Sequence, residues 1–281
     1  MTETIRIFQV DAFTQEPFRG NPAAVCLLSH DYEDAILRAI AAEMNLSETA
    51  FVIPLDAEDW KTATHFSLRW FTPEVEVRLC GHATLATGAV LLNVIGVSAP
   101  QITFETLSGE LVAKRDTRGG VLLDFPADSP QPLAPPTAIL EALGCATGMV
   151  ETLYASQTQK LLVCLEEESQ VRTLAPDYSR LKAAPAPEIV KGVIVTAASQ
   201  TPYDFISRYF APWVGIDEDP VTGSAHTVLA PYWAARLKKT ALDAYQASTR
   251  GGALHVRLVG DARVELLGHA VVVLEGNLQQ I

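Results

Sequence analysis

Two short turns hold the side chains best suited to chemistry. Glu218-Asp219-Pro220-Val221-Thr222-Gly223-Ser224-Ala225-His226 runs from an acidic turn into the apolar helical pattern Ala225, Val228, Leu229, Tyr232, Trp233, Ala235, Leu237. Leu79-Cys80-Gly81-His82-Ala83 does the same before Leu85, Ala86, Ala89, Val90 and Val94. In each, small residues open the backbone, and the first N–H groups of a helix lack internal partners and attract an anion. Two such helix starts suit a small carboxylate. Asp219 either serves that site or stabilises a helix dipole, worth ~0.3–1 kcal/mol; Glu218 beside it reads as solvated. His82 opens its helix, a poor place to bury an imidazole without purpose. Glu48, among Leu46, Ala50 and Phe51, is either an exposed loop acid or a carboxyl with a raised pKa in an apolar pocket. The residues by themselves leave both open.

Other chemistries lack their residues. His30, His65, His226, His255 and His269 show no metal-ligand spacing, Cys80 and His82 read as too close to share one ion, and there is no HExxH, so no metal is expected. No Gly-x-Ser-x-Gly is present, which weakens a serine hydrolase. Neither GxGxxG nor GxxxxGK[ST] occurs, so no nucleotide cofactor is expected.

The elements that must position these residues come in two sets. Gly81 and Gly223 lie 142 positions apart, as do Gly109 and Gly251, and Arg115 and Arg257 (223 − 81, 251 − 109, 257 − 115). Arg69-Trp70-Phe71-Thr72-Pro73 precedes the first turn and Arg208-Tyr209-Phe210-Ala211-Pro212 the second, 139 apart (208 − 69). Self-similarity at a fixed offset indicates two copies of a strand–turn–helix–hairpin unit. Alternation predicts strands over 5–10, 50–53, 65–71, 102–106 and 110–115. Asp31 is expected to cap a helix with Ile36, Leu37, Ile40 and Met44 on one face, ending near Asn45. Pro126, Pro130, Pro132, Pro135 and Pro136 mark a loop. Further strands are expected near 161–165, 190–196, 203–210, 253–259 and 270–274. A helix apolar nearly all round must be enclosed. The expected fold is therefore α+β, with two pseudo-symmetric domains, each a curved sheet or barrel around a central helix. Domain one covers 1–118 around helix 81–95. Domain two covers 119–281 around helix 223–238, with the last strand able to cross to the first. The site is expected in the cleft where two such halves meet.

The chain has 281 residues, 48% hydrophobic and 19% charged, as in a folded protein with a generous core. A net charge of −12 without basic clusters argues against nucleic acid. The opening Met1-Thr2-Glu3-Thr4-Ile5-Arg6 lacks the pattern of a signal peptide. The most apolar stretch, 79–97, carries Cys80, His82, Thr84, Thr87 and Asn93, which fits a core helix better than a membrane span. Four cysteines without CxxC or framework spacing suggest reduced thiols in the cytoplasm.

Taken together, these motifs resemble the PhzF-like family of phenazine biosynthesis isomerases. The matching pieces are Val10-Asp11-Ala12-Phe13 with Gly20-Asn21-Pro22-Ala23-Ala24-Val25, then Asn45-Leu46-Ser47-Glu48-Thr49-Ala50-Phe51. Arg69-Trp70-Phe71-Thr72-Pro73 with Cys80-Gly81-His82-Ala83-Thr84 follows, and then the stretch Glu218–His226. The resemblance implies a diaminopimelate epimerase-like fold, a homodimer, and cofactor-free isomerisation of a small cyclic amino acid such as dihydro-hydroxyanthranilate. It puts the catalytic glutamate on Glu48 and the site histidine, aspartate and serine on His82, Asp219 and Ser224. Asn21, Gly81, Thr222, Gly223 and Ser224 form the expected set for binding a small carboxylate substrate. Two other classes stay open. One is a racemase with two opposed thiols, disfavoured because the repeat partner of Cys80 is Thr222. The other is a non-catalytic binding protein that keeps the pocket.

Overall fold

The computed structural model describes residues 4–145, 150–185, 189–200 and 202–279. In chain order the elements begin with β1 (Thr4–Ala12), β2 (Asn21–Leu27), α1 (Asp34–Met44), β3 (Thr49–Pro54), β4 (His65–Phe71), β5 (Glu76–Val77) and α2 (Gly81–Ala89). They continue with β6 (Gln101–Thr106), β7 (Gly109–Arg115), β8 (Val121–Pro126), β9 (Gln131–Pro132), α3 (Thr137–Leu143), β10 (Glu151–Ala155), β11 (Lys160–Cys164), α4 (Glu168–Thr173) and α5 (Tyr178–Ala183). The rest are β12 (Gly192–Ala198), β13 (Phe205–Ala211), β14 (Ile216–Asp219), α6 (Gly223–Leu237), β15 (Ala241–Gln246), β16 (Gly252–Val259), β17 (Arg263–Gly268) and β18 (Ala270–Gln279). The chain forms two compact units, Met1–Asp124 with Leu266–Ile281, and Phe125–Glu265. The sequence reading set the division at 118/119; here the chain changes unit within β8 and again within β17.

In the first unit β1 pairs antiparallel with both β18 and β2. From there the order is β2–β3 parallel, β3–β4 antiparallel, β4–β6 parallel, and β6–β7 and β7–β8 antiparallel. In the second unit β10–β11 is antiparallel, β11–β12 parallel, β12–β13 antiparallel, β13–β15 parallel and β15–β16 antiparallel. Parallel neighbours need a crossover connection. Helix α1 lies in the first unit's β2–β3 crossover, and α2 in its β4–β6 crossover. The second unit uses α4 with α5, and then α6.

Every residue from His82 to Leu92 is buried, so α2 is enclosed, packing on β1, β2, β3, β7 and β18. The expected helix 81–95 changes form on the way: α-helix ends at Ala89 and Val90–Ile95 is π-helical. Residues Gly223–Leu237 of α6 are likewise largely buried, with Lys238 in the left-handed region as C-cap, and α6 packs on β15 and β16. Short α3, α4 and α5 were not expected. Their apolar faces, with Ile139, Leu140, Val171 and Leu181, cover a core of β11, β12 and β13 residues.

Two local expectations are corrected. Asp31 does not cap α1: Glu33 holds the N-cap position without a side-chain bond. Asp31 instead accepts the Tyr32 N–H at 3.0 Å and pairs with Arg69 at 3.4 Å. Glu218 is not solvated. Its carboxylate takes a bidentate pair from Arg208, Nε–Oε1 2.7 Å and Nη2–Oε2 2.8 Å. Arg69 grips Glu76 in the same way, at 2.8 and 3.0 Å. Each guanidinium also overlies a phenylalanine two residues on, Phe71 at 5.0 Å and Phe210 at 4.9 Å. A planar fork that can both stack and bind bidentately requires arginine, which accounts for the Arg-x-Phe spelling in both halves. The pair fixes the strand return that leads to each central helix.

Candidate functional site

Glu48 is placed by what flanks it. Helix α1 stops because Asn45 takes the left-handed conformation, φ 52°. Three residues later the chain enters β3, whose Thr49 registers with Ala24 of parallel β2. The Ala24 N–H reaches the Glu48 carbonyl at 3.4 Å. Between these anchors Ser47 and Glu48 are held beside the start of α2. His82, only 6% exposed, is the second residue of that helix.

The imidazole sits at the centre of the group. Its Nε2 lies 3.4 Å from Glu48 Oε2 and 3.5 Å from Ser47 Oγ, and its Nδ1 lies 3.5 Å from Cys80 Sγ. Glu48 Oε2 makes no hydrogen bond among the described residues, so the His82 ring meets it by proximity, and with the proton on Nε2 the bare Nδ1 can accept from the thiol. The Glu48 side chain is 13% exposed. Burial pushes its carboxyl above the ordinary glutamate range, while the Ser47 hydroxyl and Cys80 thiol pull more weakly the other way. Of the two states open to Glu48 from sequence, the structure therefore favours the mostly covered carboxyl with a raised pKa over the exposed loop acid.

Cys80 is the N-cap of α2, yet its side chain makes no capping bond. The first intrahelical bond is Thr84 N–H to the Cys80 carbonyl, so the N–H groups of Gly81, His82 and Ala83 precede the helix ladder. Ligand atoms of Glu48, Cys80 and His82 lie within 4.8 Å of one another. The sequence argument that Cys80 and His82 are too close to share an ion therefore fails on distance. The arrangement itself suits sharing a proton, since the ring turns one nitrogen to each neighbour. An ion taking all three donors would need one nitrogen to face both.

The Asp219 group lies within the second unit. Asp219 ends β14 and is 9% exposed. Its Oδ2 accepts from Thr222 Oγ1 at 2.5 Å. Thr222 is the N-cap of α6 but makes no side-chain cap. The turn is braced by Gln246, fully buried on β15: Oε1 accepts the Thr222 N–H at 2.8 Å, and Nε2 donates to the Asp219 carbonyl at 2.7 Å. Ser248 Oγ donates to the Pro220 carbonyl at 2.8 Å. From inside, His226 Nδ1 meets the Thr222 carbonyl at 2.8 Å. Burial lowers the pKa of His226 to about 4, so it stays neutral and structural. Gly223 and Ser224 then open α6, and the Ser224 carbonyl accepts from Thr227.

The structure thus brings Glu48 and His82 together beside Gly81, and groups Asp219 with Thr222 ahead of Gly223 and Ser224. Asn21 is buried at the start of β2, paired in register with Ala12. Sequence reasoning overlooked Ser47 and Gln246. A signal for Gln246 was present: Leu242, Ala244 and Gln246 share the buried face of β15, so the glutamine is a polar residue at an apolar position.

Two units of mixed sheet and enclosed helix, with a buried acid beside an imidazole, define an α+β protein of the diaminopimelate epimerase-like fold. A hydroxyproline epimerase from Agrobacterium vitis has this fold, with a TM-score of 0.59 at 12% identity over 98% of this chain and 92% of that one. The family model described as Phenazine biosynthesis-like protein matches residues 10–276, and the chain belongs to that family. An uncharacterized isomerase of Pseudomonas aeruginosa is 49% identical over 98% of each chain. A solved PhzF-family phenazine biosynthesis protein from Enterococcus faecalis is 40% identical, with a TM-score of 0.89 over 98% of this chain and 99% of that one. The family and its relatives support an isomerase kind of activity. Among the described residues no helix is long and apolar enough to cross a membrane.

Proposed function

We propose that the protein is a cofactor-independent isomerase that moves a proton on a small cyclic amino acid or carboxylate, with Glu48 taking and returning it. The observation that carries this reading is the state of Glu48: its side chain mostly out of solvent, raised in pKa by that burial, and 3.4 Å from the His82 ring. A base must have a pKa near working pH, and an ordinary glutamate at ~4.3 is too weak to deprotonate a carbon efficiently. His82 orients the carboxyl and can relay its proton. In this reading the N–H groups that open the two central helices, at Gly81 and at Gly223-Ser224, are positions for binding a carboxylate. Asn21 and Thr222 complete the binding set, and Asp219 holds an amine or hydroxyl. The protein would work as a homodimer in the cytoplasm, built as a duplicated unit. The matching alternation of parallel and antiparallel pairs in the two units supports the duplication.

A two-thiol epimerase is the second reading. Cys80 stands beside His82, but the residue at its repeat position is Thr222, an alcohol already donating to Asp219. That hydroxyl is a poor base, so the one-carboxyl mechanism is favoured.

The test is a screen of small cyclic amino acids and ring carboxylates, dihydro-hydroxyanthranilate included, with wild-type protein in D₂O. NMR locates any deuterium gained. Deuterium at a new carbon with a moved double bond supports the isomerase. Deuterium at a stereocentre with inversion assigns an epimerase, and thermal stabilisation without exchange assigns a binding protein.

A further inference from the structure

Lys160 is a buried cation that the reaction outlined above does not use. It opens β11, is 6% exposed, and its ammonium makes one long hydrogen bond, 3.4 Å to the Thr158 carbonyl. The strand register carries it towards Asp219. Lys160 pairs with Gly192 on β12, Ile194 of β12 with Tyr209 on β13, and Tyr209 with Asp219 on β14. Gly192 leaves room for this layer: a Cβ there would lie 2.1 Å from the Tyr209 hydroxyl. The Tyr209 ring accordingly folds back over the sheet, 5.5 Å from the Lys160 ammonium.

Two carboxylates, Asp128 and Asp219, supply the opposite charge, and Lys191 is the like charge nearby. Both acids are tied to α6. Asp128 binds its N–H to the Thr227 carbonyl at 3.2 Å, and its Oδ2 accepts from Thr158 N and Oγ1 at 2.7 and 2.8 Å. Asp219 is tied through Thr222 at the helix start. The charges of two acids anchored to α6, Asp128 through Thr227 and Asp219 through Thr222, therefore act on the ammonium. With one long hydrogen bond among the described residues, the buried cation is expensive unless those charges compensate it.

We propose that Lys160 is a positioning residue for the Asp219 turn: its ammonium supplies the charge that holds the Asp219 carboxylate, and with it the start of α6, in place. The inference rests on the proposed function only in making Asp219 a site residue. Its test involves neither turnover nor Glu48, so its failure would leave the acid–base assignment standing. Burial draws the Lys160 pKa down to about 8, which brings it into an accessible window.

The experiment is NMR on full-length protein with ¹³C-labelled lysine, titrated from pH 6 to 11. The Lys160 signal is assigned by its loss in Lys160→Arg. Expected is a midpoint near 8, falling at least threefold in proton affinity in Asp219→Asn, because a stabilising anion is removed. In the unmutated protein the Thr222 amide signal should shift with the same midpoint, an arm that needs no variant to fold. An unchanged Lys160 midpoint in folded Asp219→Asn would overturn the proposal. So would a Thr222 amide that stays flat while Lys160 titrates.

Discussion

Glu48→Gln should make the protein more stable at neutral and alkaline pH. Burial raises the Glu48 carboxyl pKa in the fold. A group with a raised folded-state pKa keeps a proton that the unfolded chain gives up. Its contribution is therefore complete below the unfolded glutamate value and is lost as pH rises through the raised one. Gln keeps the shape and an acceptor oxygen but has no proton to lose, so the variant escapes that loss. Each unit of raised pKa corresponds to ~1.36 kcal/mol. With roughly 2–4 °C of Tm per kcal/mol for domains of this size class, one unit becomes ~3–5 °C. Thermal melts of both proteins by circular dichroism from pH 4 to 9 are the assay. The curves should nearly meet at pH 4 and separate with rising pH, the variant melting higher. A variant that tracks wild type at every pH would show that Glu48 is not a strained buried acid.

Gly20→Ala should lose at least ~1–3 kcal/mol of stability by urea unfolding, since Gly20 has φ +63° and a Cβ there would lie 2.1 Å from the Ala12 carbonyl oxygen. An unchanged midpoint would contradict the β1–β2 turn described here. Gln246→Leu strands the Thr222 N–H and Asp219 carbonyl in the core, at ~1–3 kcal/mol for each unpaired group. A loss below ~1 kcal/mol would mean the turn is held by other contacts. Dialysis against a chelator should leave any solvent-deuterium exchange activity unchanged. Loss that zinc restores would assign Glu48, Cys80 and His82 to a metal.

The fold was legible where side chains repeat at a fixed period. Strand alternation located β1, β4 and the β6–β7 hairpin, and the doubled turn-plus-apolar-helix located α2 and α6. Less legible were α3, α4 and α5, because six- or seven-residue helices give too few turns for a 3.6-residue pattern to emerge. Asp31 misled because its type suits a cap, whereas its charge is drawn to Arg69 across the fold. Glu218 misled for the same reason: its partner Arg208 lies ten residues away on the neighbouring strand. At the site, Glu48 and His82 were visible as residue types at suggestive places. The contact between them joins a loop before β3 to the start of α2, and no local pattern encodes a pairing across 34 positions (82 − 48). Lys160 offered no signal, because a lysine at the first position of a strand reads as exposed until the register shows what covers it.

The most direct test of Glu48 as the proton carrier is deuterium exchange by Glu48→Gln on whichever ligand the wild-type protein labels in D₂O. General acid–base catalysis contributes ~10²–10⁴-fold. The expected result is binding retained within a few-fold, with the exchange rate reduced at least ~100-fold. Exchange at the wild-type rate in Glu48→Gln, with Asp219→Asn or Cys80→Ala inactive, would place the base elsewhere.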